Sequence, residues 1–106
     1  MYKARKRLIA HPGKVVQMLL LENGITQTKL AEYLHIPQTK VSEICRCKRG
    51  ISAEMALKLE RVLGISANIW MEIQTNWELS NIDLSRLKKY RLLVKLNEKE
   101  ISKKAA

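Results

Sequence analysis

The chain has 106 residues and a mass of 12.2 kDa, which is enough for one compact domain. Lysine and arginine number 20 against 10 acidic residues, and the net charge of +10 points to a polyanionic partner. Four glycines, two prolines and no phenylalanine disfavour a turn-rich β-sandwich. Two cysteines are too few for a disulfide scaffold, and no apolar run is long enough to span a membrane.

The N-terminus is a short basic segment. Met1–Arg7 carries four cationic residues, and only Leu8, Ile9 and Ala10 separate it from the first proline. This apolar stretch is too short for a secretory signal. We therefore expect a cytoplasmic protein that begins with a basic arm.

Five helices are predicted before residue 80, because turn and capping residues separate segments whose apolar residues recur at helical spacing. The predicted helices are Lys14–Asn23, Gln27–His35, Gln38–Arg46, Ala53–Leu63 and Ala67–Leu79. Thr26, Ser52 and Ser66 are the expected N-caps of the second, fourth and fifth helices, and Gly24 and Gly64 the residues that end the first and fourth. The sequence thus predicts an all-α fold.

The last quarter of the chain is basic. Residues 1–50 have a net charge of +7, residues 51–80 of −2 and residues 81–106 of +5. A sixth helix is predicted from Asp83 or Ser85 to about Leu96, followed by a polar, frayed tail. We divide the chain into a domain of residues 1–80, which includes the basic N-terminal arm, and a basic C-terminal helix and tail of residues 81–106.

The second and third helices have the plan of a helix-turn-helix, whose second helix lies in the DNA major groove. If Val41, Ile44 and Cys45 are buried, the opposite side presents donors and acceptors suited to base edges. The residues expected to point away are Thr39, Ser42, Glu43 and Arg46, with Gln38 and Lys40 on the flanks. An ordinary solvated helix face is the other interpretation of the same pattern.

The segment ITQTKLAEYLHIPQTKVSEI, residues 25–44, resembles the lambda-repressor-like, Cro/C1-type helix-turn-helix domain. Three further segments are similar to HigA-type antitoxins, also known as virulence-associated protein I: HPG at residues 11–13, KRGIS at 48–52 and MALKL at 55–59. The continuation through Trp70, Ile73 and Gln74 matches as well, so the resemblance covers roughly residues 11–80. It implies a lambda-repressor-like five-helix DNA-binding domain, here with an extra C-terminal helix.

The resemblance also implies roles for particular residues. Gln27 is expected to bind a DNA phosphate. Gln38, Thr39 and Lys40 are expected to face the groove, with Ser42 and Glu43 beside them, and Lys48 and Arg49 to touch the DNA backbone. These side chains are the candidate DNA-binding residues: Gln27, Gln38, Thr39, Lys40, Ser42, Glu43, Arg46, Lys48 and Arg49.

One dipeptide departs from the family pattern. Arg46-Cys47 stands where relatives usually have Asn-Gly, and glycine would suit a left-handed helix end. Either the third helix runs further here, or Cys47 adopts a strained conformation. The change adds Arg46 to Lys48 and Arg49, a cluster that we interpret as phosphate-facing, with a plain solvated turn as the alternative.

The fifth helix carries Trp70, Ile73 and Trp77 on one stripe. We interpret Trp70 as a core residue. Because related antitoxins form dimers through this helix, Ile73 and Trp77 are the candidate dimer contacts. The resemblance implies a homodimer on a palindromic operator, and a HigB-like ribonuclease toxin as a second partner. A stand-alone repressor without a toxin, and a protein-interaction module that keeps the fold only as a scaffold, are the competing hypotheses.

Enzymatic chemistry is not expected. Cys45, Cys47 and His35 do not have the four-ligand spacing of structural zinc, and neither histidine lies in a metalloprotease motif. The sequence contains no glycine-rich phosphate loop. We predict no catalytic residues, no metal and no cofactor.

Overall fold

The computed structural model describes residues 9–105, and the basic N-terminal arm predicted at Met1–Arg7 lies outside the described residues. Six α-helices and no strand form this part of the chain, which confirms the all-α prediction. The helices are α1 (Pro12–Glu22), α2 (Gln27–Leu34), α3 (Gln38–Cys45), α4 (Ala53–Leu63), α5 (Ala67–Ser80) and α6 (Glu98–Ala105). None of them is both long and apolar enough to cross a membrane.

Side-chain caps set the starts of the helices. The hydroxyl of Thr26 accepts a hydrogen bond from the Lys29 amide at 3.0 Å, and that of Ser52 accepts one from the Met55 amide at 3.1 Å. Ser66 caps α5 in the same way through Ile69. Each bond satisfies a backbone N–H that has no partner within its own helix. All three predicted N-caps are therefore confirmed.

The core lies between the first five helices. α1 packs against α3 and α5, α2 against α3 and α4, and α4 against α5. Trp70 is completely buried, as the core interpretation requires. The buried apolar residues are Val16, Leu20, Leu30, Ala31, Leu34, Val41, Ile44, Cys45, Ile51, Ala56, Leu59 and Trp70.

The His11-Pro12-Gly13 segment has a packing role. The Nδ1 atom of His11 accepts a hydrogen bond from the Gly13 amide at 2.9 Å and so caps α1. A Cβ atom on Gly13 would overlap the carbonyl oxygen of Ile44 at the end of α3. Only glycine lets the start of α1 lie this close to α3, so the segment fixes one end of the helix-turn-helix.

The predicted sixth helix is wrong in position. A short 3-10 helix covers Leu84–Leu87, residues 88–97 form neither helix nor strand, and the helix lies further on, at Glu98–Ala105. The apolar residues of the predicted helix are all exposed, and a short helix without packing is only marginally stable. α6 instead has acidic residues in its first turn and Lys103 and Lys104 in its last, which suits the helix dipole.

Candidate nucleic-acid interface

A three-residue turn joins α2 to α3. His35 adopts the left-handed conformation, with φ 55° and ψ 44°, and ends α2. Pro37 is the N-cap of α3, and a proline is readily accommodated at the start of a helix. The predicted inward residues Val41, Ile44 and Cys45 are all buried, so the orientation of α3 inferred from its periodicity is confirmed.

The first turn of α3 points away from the domain. Gln38, Thr39 and Lys40 are exposed, whereas Ser42 and Glu43 are half-buried. Lys40 also lines a cleft of about 180 Å³ that contains Arg49 and Ser52, so α3 and the loop after it share one surface. Gln27, the first residue of α2, is half-buried.

The loop after α3 contains three exposed cations. We call residues 46–50 the basic turn, and its cationic side chains are Arg46, Lys48 and Arg49. Cys47 has φ 61°, so α3 ends at Cys45 and a non-glycine residue occupies the left-handed position. The Lys48 amide donates to the Glu43 carbonyl at 2.9 Å, which closes the helix end. Of the two alternatives for Arg46-Cys47, the strained conformation is the one present.

Glu43 forms an ion pair with the basic turn. Its Oε1 atom lies 3.2 Å from Nη2 of Arg49 and 3.4 Å from Nε of the same guanidinium. Both side chains are partly exposed, so the pair adds little to stability. The ion pair orients Arg49 relative to α3. Residue spacing alone did not predict this contact.

A glutamine on α5 holds the end of the basic turn. Gln74 is 6% exposed, and its side-chain oxygen accepts a hydrogen bond from the Ile51 amide at 2.7 Å. Its Nε2 atom donates to Glu78 at 2.7 Å. A Cβ on Gly50 would come within 2.8 Å of the Gln74 amide, so glycine permits the close approach. Sequence reasoning missed this role, although a glutamine on the inward side of an apolar helix was a usable indication.

The two candidate dimer residues, Ile73 and Trp77, are half-buried on α5. The Trp77 ring meets the His11 ring edge-on, with centroids 4.7 Å apart, so part of its surface is used within the chain. Ile73 lines a shallow cleft of about 200 Å³ together with Ile9 and Val15. Burial lowers the pKa of His11, which favours the neutral ring that caps α1.

No group of three or more histidine, cysteine or acidic side chains within residues 9–105 is arranged to hold a metal ion. Cys45 is a core residue, and its burial raises the pKa of its thiol. The electrostatic effect of the nearby Cys47 raises this pKa further. A buried thiol with a raised pKa is a poor nucleophile and a poor metal ligand.

Comparisons with known proteins agree with this geometry. The helix-turn-helix family model HTH_3 matches residues 16–70. Virulence-associated protein A of Dichelobacter nodosus is 39% identical over 75 residues, 69% of this chain and 74% of that protein. Virulence-associated protein I of the same organism is 37% identical over 70 residues, 65% of each chain. The structure of the Pseudomonas aeruginosa antitoxin HigA with the higBA promoter superposes with a TM-score of 0.72 at 32% identity, covering 81% of this chain and 99% of that one.

Proposed function

Because the chain belongs to the Cro/C1-type helix-turn-helix family of DNA-binding regulators, which are not enzymes, we propose that it is an antitoxin that represses its own operon and neutralises a ribonuclease toxin. The observation that carries the proposal is the exposed first turn of α3 beside the basic turn, on a chain similar over most of its length to an antitoxin solved with promoter DNA.

In this proposal the two parts of the surface have different tasks. Gln38, Thr39 and Lys40 read base edges in the major groove, and Ser42 and Glu43 lie at its margin. Gln27, Arg46, Lys48 and Arg49 bind phosphates, which fix position without reading sequence. The Glu43–Arg49 ion pair supports this division, because it holds a phosphate-binding cation against the reading helix.

A palindromic operator requires two copies of the domain. One helix-turn-helix reads one half-site, and two half-sites lie about 34 Å apart. We place the dimer contact on α5, at Ile73 and Trp77, because this helix has partly exposed apolar residues and no lysine or arginine. The protein would act in the cytoplasm, where it can bind both the operator and the toxin.

Gel-shift titration with the promoter of the protein's own operon, at several salt concentrations, tests the DNA proposal. Lys48→Ala and Arg49→Ala should weaken binding to all sequences and lower the salt slope by about 1 each. Thr39→Ala should change which sequence is preferred. Arg61→Ala, at the far end of α4, is the control that removes a cation without changing the slope. Equal affinity for promoter and unrelated DNA would contradict the proposal.

Co-expression with the product of the adjacent reading frame tests the toxin. A stable complex that suppresses ribonuclease activity is expected. If promoter binding is specific but no such complex forms, the protein is a stand-alone repressor, the second candidate that the fold permits.

A further inference from the structure

A cationic and apolar segment follows the domain. We call residues 84–97 the C-terminal arm; it contains five basic residues and no acidic residue. Its apolar side chains are between 47% and 94% exposed, and none belongs to the core or packs against it. Exposed apolar surface concentrated in one segment is typical of an interaction site. The exposed apolar residues of the arm are Leu84, Leu87, Tyr90, Leu92, Leu93, Val94 and Leu96.

Apolar residues alternate along the second half of the arm. Tyr90, Leu92, Val94 and Leu96 occupy the even positions, and Arg91, Leu93 and Lys95 the odd ones. Successive side chains of an extended chain point to opposite sides. Within residues 9–105, no backbone hydrogen bond involves residues 91–96. An extended arm therefore has an apolar side and a largely cationic side, and its backbone is free to follow another surface.

The outer side of α5 has complementary properties. Ile69, Glu72 and Leu79 lie on one side of the helix by their spacing, and we call them the α5 outer face. Ile69 and Leu79 are 49% and 44% exposed. α5 contains two glutamates and no lysine or arginine. No ion pair links Glu72 to another residue of the described chain.

We propose that the arm of one copy lies along the α5 outer face of a second copy, with Leu92 and Leu96 against Ile69 and Leu79, because both pairs are separated by about 13–15 Å. The long side chains of Lys89, Arg91 and Lys95 flank this apolar side and can reach back past its margins to Glu72, whereas pairing two arms with each other would bring like charges together. The inference rests on the dimer included in the proposed function, and it adds the residues that each copy contributes.

The length of the arm suits this placement. Residues 88–97, which follow the 3-10 helix, reach at most about 35 Å when extended, and a helix of 14 residues is about 21 Å long. The arm can therefore leave its own domain and still cover the partner's α5. In a two-fold dimer the contact is made twice, which doubles the buried surface. A DNA-binding role would use the cations but would leave the alternating apolar side unexplained.

Two adjacent leucines provide a matched test. Leu92→Lys places a charge on the apolar side of the arm, and Leu93→Lys makes the same change on the cationic side. We expect Leu92→Lys to weaken the dimer by about tenfold in sedimentation equilibrium, and Leu93→Lys to change it by less than about twofold. The arm lies outside the core, so both variants should keep the wild-type circular dichroism and melting temperature. Equal effects of the two variants would overturn the proposal.

Cross-linking separates the partner's α5 from the chain's own. Equal amounts of ¹⁵N-labelled and unlabelled full-length protein are mixed and treated with a carbodiimide, which joins lysine to a carboxylate without a spacer. After subunit exchange, about half of the peptides that link Lys95 or Lys89 to Glu72 should contain one labelled and one unlabelled half, as random pairing of the two forms requires. Links that all lie within a single isotope would show that the arm folds onto its own α5 and would overturn the inference.

The outcomes distinguish this inference from the proposed function. A wild-type dimer that Leu92→Lys leaves intact overturns the arm and keeps the dimer. A wild-type chain that is monomeric at all concentrations overturns both the arm and the dimer. Specific promoter binding is measured separately and does not depend on the arm.

Discussion

Cys47 shows how a single residue shapes the candidate interface. Its positive φ ends α3 and turns the chain so that Arg46, Lys48 and Arg49 are all exposed. The left-handed conformation costs a residue with a Cβ about 1–2 kcal/mol. Cys47 therefore stores strain at a place where the packing of α3 and the Lys48–Glu43 hydrogen bond impose the turn.

Cys47→Gly is expected to stabilise the protein by about 0.5–1 kcal/mol, because relief of the strain exceeds the added entropy of the unfolded chain. Urea unfolding measures the change. Cys47→Ala keeps the Cβ and removes only the thiol, so it should give no comparable gain. If alanine stabilises as much as glycine, the thiol and not the backbone conformation is the unfavourable element.

The protonation of His11, at the start of α1, makes the stability of the protein depend on pH. Its neutral ring accepts the Gly13 hydrogen bond and contacts Trp77, and burial lowers its pKa below that of the unfolded chain. The stability it provides is complete above the unfolded histidine pKa of about 6.5. It is lost as the pH falls towards the folded pKa, because the unfolded chain then binds the proton more readily.

His11→Asn should remove this component of the pH dependence, since an asparagine oxygen can cap the helix without titrating in this range. Urea unfolding between about pH 7.5 and 5 compares the two slopes. The wild type should lose more stability than the variant on acidification. Parallel curves would mean that the burial of His11 does not contribute to the pH dependence.

At the scale of secondary-structure elements, Gln74 joins two regions that are far apart in sequence. It binds the backbone at Ile51 from α5 and packs against Gly50. The basic turn is thereby held by the helix that we propose as the dimer contact.

Gln74→Met should cost about 1–3 kcal/mol, because it leaves the buried Ile51 N–H without its acceptor. It should also weaken promoter binding, although residue 74 does not face the candidate DNA surface. Urea unfolding and gel shift measure the two effects. Glu78→Gln, which keeps an oxygen to accept from Gln74, is the control and should stay within about 0.5 kcal/mol of wild type.

The elements that the sequence predicted are those governed by local chemistry. Thr26, Ser52 and Ser66 cap their helices by bonds to residues only three positions ahead, so their positions follow from residue type. The Gln74–Ile51 bond spans 23 residues and depends on how α5 packs, which no local pattern contains. The helix predicted up to Leu96 does not form, because no other part of the described chain covers the apolar side that its spacing predicts.

For the whole molecule, the position of the charge matters more than its total. Residues 1–50 have a net charge of +7 and include α3 and the basic turn, where phosphates would be met. Residues 51–80 have a net charge of −2 and include α5, where low positive charge permits two copies to approach. The net charge of +5 in residues 81–106 lies mainly on the C-terminal arm. In our proposal it is matched by the net negative charge of residues 51–80.

The Gln74 bond has a mechanical consequence for the proposed dimer. Gln74 bonds the backbone just after the basic turn, and α1 packs against both α3 and α5, so the reading helix and the pairing helix are held in one packed unit. The separation of the two reading helices is then set by the angle at which two α5 helices meet, with no flexible tether to absorb an error. One additional base pair between half-sites would rotate the second by about 35°. Such a dimer measures the length of its operator as well as reading its bases.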